Sequence, residues 1–489
     1  MLECTSRPWG GRAEPNVKVC YNDRNRVERL LGRFKKRIGM KIRISNCCLI
    51  GLFVFMSMSW CIWGEGYFIS CGLSPDGVSY LRMAEAAARG HLFNPNGVAG
   101  HDGWFAVWPL GYPWCIALVI KITSLDAFTS ARIVATLITG GILLVLARCA
   151  RSAFPVLALS LLNLSFCGVF RVSYSEQPYV LALLALCVVL SRKDENRKIA
   201  CFAIAGLCIA TFLFRYVGVF AIFWSIAASY LAAKLERRTL GMVRAAACAA
   251  IAVVIFAGGY LFLNHIMCGA FTGGHPTGMS ESFLALLRRT FVALLNETQA
   301  AFFAALWAGM LLVTAGPGML RKKSDEVKDE GTPDGMVFVL FGLLCNGTVV
   351  VLRFLMPFDP LGFRLLCPGT TLLVLGLVLK IRSRLRVDWT VAINAVPMRR
   401  MLVFLALAAV PAFNILPLEL EIRRTMHLPS DPWYGSYKDV RAQVMEKYAA
   451  MPPGTQFEFP ANDFGIDYWI DFLRPDIIAH QPDMPNSAF

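Results

Sequence analysis

Long apolar runs, recurring from near Asn46 to about residue 418, constrain this chain more than any other feature. One of them reads Leu137-Ile138-Thr139-Gly140-Gly141-Ile142-Leu143-Leu144-Val145-Leu146. Runs that approach the ~20 residues a helix needs to cross a bilayer indicate membrane spans. Composition agrees: of 489 residues, 56% are hydrophobic and 17% are charged, where a soluble protein would carry about a quarter charged. The fold class expected is an all-α polytopic membrane protein.

Candidate spans lie at roughly 46–69, 131–148, 154–171, 177–191, 198–214, 215–233, 244–264, 298–316, 335–356, 364–381 and 400–418. A further stretch, 107–122, holds Trp108-Pro109-Leu110-Gly111-Tyr112-Pro113-Trp114. Two prolines and two tryptophans suit an interfacial or re-entrant segment better than a crossing. Charge decides the count. With 107–122 left out, every second loop is basic: Arg24 to Arg43; Arg148 and Arg151; Arg192, Lys193, Arg197 and Lys198; Lys234, Arg237, Arg238 and Arg244; Arg321 to Lys323; and Lys380 to Arg386. The positive-inside rule makes that side cytoplasmic. The expectation is therefore about eleven crossings, with the N-terminus cytoplasmic and the C-terminus external or periplasmic.

The same rule accounts for the net charge of +15, so nucleic acid is not implied as a partner. The cysteines lie mostly inside apolar runs and lack metal-ligand spacing. Cys71 and Cys268, both assigned outside, are a weak disulfide candidate. The first apolar run follows a long basic segment and reads as a retained anchor. The expected organisation is a basic cytoplasmic segment (1–45), a transmembrane body (46–418) whose first external loop spans 70–130, and a short external C-terminal segment (419–489).

The unusual polar clusters fall in or beside the external segments. Leu73-Ser74-Pro75-Asp76-Gly77 precedes an amphipathic helix expected over Val78 to Gly90. Asp76 has two readings, a helix cap and a general base at the membrane interface. His101-Asp102 reads as an ordinary turn or as a metal or substrate contact. Trp104, Trp108 and Trp114 read as headgroup anchors or as platforms for a sugar ring. Glu176, at the membrane boundary, is costly to bury and marks either a site or a pair with Arg171. Arg215 joins two apolar runs with almost no loop. It either binds a phosphate in its guanidinium fork or snorkels to the headgroups. Arg364 and Arg353 lie at the edges of their own spans and carry the same pair of readings. His265 opens a long external loop whose second half, Glu281 to Leu295, is expected to form an amphipathic surface helix. In the C-terminal segment, Gly454 to Phe459 reads as a strand. Asp463, Asp467 and Asp471 recur as a solvated acidic face, with a metal site as the alternative.

Five of these pieces, in this order, resemble the GT-C superfamily of membrane glycosyltransferases, in particular bacterial relatives of the protein O-mannosyltransferases and lipid A aminoarabinose transferases. They are Pro75-Asp76-Gly77-Val78-Ser79-Tyr80, Trp108-Pro109-Leu110-Gly111-Tyr112-Pro113, Ser175-Glu176, Arg215-Tyr216-Val217-Gly218 and Arg364-Leu365-Leu366-Cys367-Pro368. The resemblance spans most of 46–381. It implies membrane helices with juxtamembrane helices in the first external loop, among them 107–122. It also implies transfer of a sugar from a polyprenyl-phosphate-linked donor to a lipid, glycan or protein acceptor. Asp76 matches the family's catalytic acid, and Glu176 is the second catalytic candidate. Arg215, Arg364 and Arg353 are candidates for the donor phosphate. Tyr80, His101, Asp102, Trp108, Tyr112 and His265 are candidates for substrate contact. The scheme requires no cofactor, and no clear metal site is visible. Where many relatives carry a second acid beside the first Asp, this chain has Gly77, and their Pro-Pro is Trp108-Pro109 here. The expected location is the bacterial inner membrane. A transporter or lipid flippase is the rival reading, which the absence of a visible repeat and the one-sided polar clusters disfavour.

Overall fold

The structure, a computed structural model, describes residues 45–63, 75–93, 104–192, 197–236, 239–272, 282–316, 333–355, 363–385, 388–425, 446–448, 450–458 and 478–480. Fifteen helices carry the argument, numbered here in chain order. They are α1 (Asn46–Trp63), α2 (Pro75–Ala88), α3 (Gly111–Thr123), α4 (Ala127–Cys149), α5 (Phe154–Ser160), α6 (Leu164–Arg171), α7 (Glu176–Ser191), α8 (Arg197–Phe214), α9 (Ala221–Leu235), α10 (Gly241–Cys268), α11 (Phe283–Ala315), α12 (Gly335–Leu355), α13 (Phe363–Leu385), α14 (Trp389–Asn394) and α15 (Met398–Thr425). Two three-residue strands, β1 (Gln456–Glu458) and β2 (Ile478–His480), pair in parallel. The strand read at Gly454 to Phe459 therefore forms over its central residues.

The protein is an all-α polytopic membrane protein. Among the described residues, eight helices are long and apolar enough to cross a bilayer, or nine if α5 and α6 form one bent span. The expected spans at 177–191 and 400–418 fall on α7, which has only 16 residues, and on α15, neither of which is among these. Side chains such as Phe202, Ile251 and Val313 are exposed on the outer helices, as lipid-facing residues should be. The most apolar window of α13 is 61% buried and that of α10 is 22% buried. Thus α13 is central and α10 is peripheral.

Two expectations change. The run expected as one span at 154–171 is broken, and α5 and α6 meet at 75°. Asn163 makes the break: its Oδ1 accepts from Phe166 N at 3.0 Å, and its Nδ2 donates to Ser160 O at 3.0 Å. Trp307 Nε1 of α11 donates to Leu162 O at 3.0 Å. A broken backbone at membrane depth needs such partners, because lipid offers none. The surface helix expected over Glu281 to Leu295 is instead the first half of the 33-residue α11. Ser282 caps its start by accepting from Ala285 N at 3.3 Å, and no Gly or Pro interrupts it before the span.

In the segment expected as the first external loop, α2 starts three residues before the expected helix. Gly90, with φ of +102°, follows its end, as a left-handed glycine does. The ambiguous stretch 107–122 becomes the 13-residue α3, too short to span a bilayer alone. Its Tyr112 ring stands edge-on to Tyr80 of α2 at 5.3 Å, so the two juxtamembrane helices pack as a pair.

Helices α12 and α13 approach closely through glycines spaced seven apart, Gly335 and Gly342 against Gly369 and Gly376. A Cβ on Gly342 would sit 2.6 Å from Gly369 O, and one on Gly376 would sit 2.7 Å from Val339 N. Small residues let membrane helices pack backbone to backbone. This contact fixes the helix that carries Arg364.

Candidate active site

Four charged side chains, distant in sequence, meet where helix ends converge. Pro75 opens α2 in the position where its missing N–H costs nothing, which puts Asp76 in the first turn. Glu176 is the first residue of α7. Both carboxylates lie at the positive ends of helix dipoles, which favour them. Arg364 lies in the first turn of α13, where the dipole opposes its charge, so it needs anionic neighbours. Arg215 occupies the single extended position between α8 and the 3-10 turn Tyr216–Phe220.

Arg364 bridges the two acids. Its Nη2 contacts Asp76 Oδ2, and its Nε donates to Glu176 Oε1 at 2.7 Å. Glu176 Oε1 also meets Arg215 Nη1. Glu176 is only 1% exposed, and Asp76, Arg215 and Arg364 are 13–16% exposed at their side chains. The guanidinium of Arg364 lies 4.3 Å from the centre of the Tyr174 ring, within cation–π range. The group is thus a compact set of two anions and two cations, largely withdrawn from solvent.

Neighbouring residues hold these ends in place. Gln177 Nε2 donates to Val172 O at 2.8 Å and reaches Val169 O and Phe170 O at 3.2 Å. That ties the start of α7 to the end of α6. Tyr80 OH and Ser175 Oγ share a hydrogen bond of 2.9 Å. Burial pushes the Tyr80 hydroxyl above its ordinary value. Tyr216 OH donates to Ala106 O at 2.8 Å and accepts from Asn264 Nδ2 at 3.1 Å, while Trp104 Nε1 donates to Asn264 Oδ1 at 3.0 Å. These bonds join the segment before α3 to α10. At Gly111 a Cβ would stand 2.7 Å from Leu213 O, so α3 begins hard against the end of α8, two residues before Arg215.

The expected site residues thus fall into groups. Asp76, Glu176, Arg215 and Arg364 come together. Tyr80, Trp108 and Tyr112 form an aromatic group beside them, with Tyr80 6.3 Å from Trp108 between ring centres. Arg353 is buried in the last turn of α12. His265 lies at the end of α10, with Nδ1 3.1 Å from Gly269 O and its ring stacked on Phe271 at 4.6 Å. His101, Asp102, Cys71 and the acidic series at Asp463, Asp467 and Asp471 lie outside the described residues. Among the described residues, no group of three or more His, Cys, Asp or Glu side chains is arranged to hold a metal ion.

Sequence reasoning missed Ser175, Gln177 and Tyr174 as supports. It also missed Glu297, a buried carboxyl on α11 whose Oε1 accepts from Ser165 Oγ at 2.8 Å. Gln299 Nε2 in turn donates to that hydroxyl at 2.8 Å, and Gln299 Oε1 accepts from Leu164 N at 3.2 Å. An acid following Leu294-Leu295 in an apolar run was the available signal.

No protein-family model and no curated protein matches the sequence. Several solved structures are similar in fold. ArnT from Cupriavidus metallidurans in its apo state is 13% identical, with 88% of this chain and 84% of ArnT covered and a TM-score of 0.41. The arabinofuranosyltransferase AftD from Mycobacteria is 14% identical, with 90% of this chain covered but only 32% of AftD, at a TM-score of 0.44. The oligosaccharyltransferase of Archaeoglobus fulgidus is 10% identical, covers 90% of this chain and 65% of its own, and scores 0.45. At these identities and scores the likeness is one of fold outline and bears on neither substrate nor activity.

Proposed function

We propose that this protein is an inverting glycosyltransferase that takes a sugar from a polyprenyl-phosphate-linked donor at the outer face of a bacterial inner membrane. The observation that supports this most is Arg364 held between Asp76 and Glu176 with Arg215 alongside. A lipid phosphate entering this group would draw Arg364 and Arg215 toward its own oxygens, since guanidinium binds phosphate in a fork. Asp76 would then be released to act as general base. The acceptor O–H or N–H gives its proton to the Asp76 carboxylate as its heteroatom bonds the anomeric carbon. The bond from that carbon to the phosphate oxygen breaks, and polyprenyl phosphate departs as an anion neutralised by the arginines. Glu176 keeps the arginines in place between turnovers. Trp108, partly exposed beside the buried Tyr80, offers a ring face suited to a sugar.

One observation favours the rival transporter class. Glu297 is a buried carboxyl set against the broken pair α5 and α6, and interrupted helices facing ionisable groups occur in transporters. Protein reconstituted in vesicles with labelled polyprenyl-phosphate-sugars separates the two. The enzyme reading expects sugar released from the carrier lipid, and a fall of about 10²–10⁴-fold in Asp76→Asn and Asp76→Ala. Full transfer by both variants sinks the assignment of Asp76. Movement of the donor between leaflets without sugar transfer sinks the enzyme.

A further inference from the structure

At the end of the bundle away from Arg364, a groove of about 860 Å³ runs between α11 and α15. Its volume lies in the range of roughly 300–1,000 Å³ common for ligand sites. Ala300 and Ala304 of α11 pack with Val374 of α13, so these helices run side by side away from Arg364. The next element after α13, α14, leads into the start of α15. Asn46, the first residue of α1, donates to Ile393 O and Val396 O at 2.8 Å, tying the start of α1 to the same end.

The groove is apolar along its length and basic at one end. Leu306, Met310 and Val313 form the α11 wall, and Phe404 and Leu407 form the α15 wall. Arg399 and Arg400, in the first turn of α15, line it as well. Among the described residues neither arginine makes an ion pair. The positive end of the α15 dipole adds to their charge. On α11 the lining runs from Ala305 to Thr314, about 13 Å at 1.5 Å per residue, close to half of a ~30 Å hydrocarbon core. The groove therefore fits one leaflet, with charge at the polar boundary and apolar walls reaching the midplane. Gly309 forms part of its floor, and a Cβ added there would meet nothing within 4 Å.

We propose that this groove binds one anionic phospholipid, with its phosphate on Arg399 and Arg400 and an acyl chain lying between α11 and α15. A zwitterionic lipid would fill the walls equally but would bring its own cation to the arginines. Basic pockets between membrane helices select anionic headgroups for this reason. The site is separate from the charge group at Asp76, and it does not depend on the reaction proposed there.

The full-length protein, reconstituted in vesicles of equal phosphatidylglycerol and phosphatidylcholine and re-extracted, would be weighed with its retained lipid by native mass spectrometry. The wild type is expected to keep phosphatidylglycerol in preference. Arg399→Ala with Arg400→Ala should lower that preference about tenfold or more, and the paired lysine variant should restore much of it. Gly309→Leu, which changes no charge, should expel both lipids and carries the test alone if the alanine variant folds poorly. An unchanged preference in the alanine variant, or undiminished lipid in Gly309→Leu, overturns the proposal. So does a photoreactive label at Gly309→Cys that attaches to this chain itself rather than to lipid.

Discussion

Arg364 is the residue on which the charge group turns. It neutralises Asp76 and Glu176 together, and neither acid is exposed enough for water to replace it. Arg364→Ala should therefore destabilise the protein by about 3–5 kcal/mol, the cost of leaving buried charge unpaired. Thermal unfolding in detergent would show it, with Arg364→Lys falling between the two. A melting temperature unchanged in Arg364→Ala would mean that the carboxylates find other cations. The sequence showed these charges at span boundaries, because an ionisable residue stands out in an apolar run. It could not show which acid meets which base, since Asp76 and Arg364 are 288 residues apart. The supporting roles of Ser175 and Gln177 were not legible, because they depend on where Tyr80 and the end of α6 come to lie.

Apolar runs made the elements legible at the level of helices, and side-chain capping decided where they stopped. Ser160-Leu161-Leu162-Asn163 reads as membrane interior, yet Asn163 bonds both sides of a 75° break. Conversely, the polar residues before Leu295 suggested a separate surface helix, and α11 simply continues through them. The pairing of α12 with α13 gives the sharpest element-scale test. Gly342→Ala would press a methyl against Gly369 O at 2.6 Å and should cost about 1–3 kcal/mol by overpacking. Gly347, on the same helix, has nothing within 4 Å, so Gly347→Ala should be neutral or stabilise by up to about 1 kcal/mol through helix propensity. Equal melting shifts for the two variants would show that the glycine contact does not set the spacing of α12 and α13.

From Asn46 onward the described helices form a bundle with two chemically distinct ends. Asp76, Glu176, Arg215 and Arg364 gather at one end, and the basic loops that follow α4, α7, α9 and α13 would gather at the other. Under the positive-inside rule the basic end is expected to be cytoplasmic and the charge group outside. Single cysteines substituted for Ser383, beside Arg382 and Arg384, and for His91, exposed just beyond α2, would test this with an impermeant thiol reagent on intact cells. The reagent should label the second position only, read against a parent chain with its native reactive cysteines replaced. Labelling of the first position alone would invert the assignment. Sequence alone placed these ends by charge, while the number of crossings depended on short helices such as α3 and α7, whose length rather than hydropathy makes them ambiguous.

The bridge between Arg364 and Glu176 joins residues 188 positions apart. At roughly 5–20 residues per second of synthesis, about ten to forty seconds separate the emergence of the acid from that of its second cation. During that interval Asp76 and Glu176 must be inserted with one arginine, Arg215, between them. A ribosome stalled before Phe363 would leave a bundle lacking its last three helices, with surplus negative charge at a bilayer edge, a recognisable target for membrane quality-control proteases. Completion of α13 would then be the step that commits the nascent chain to survival.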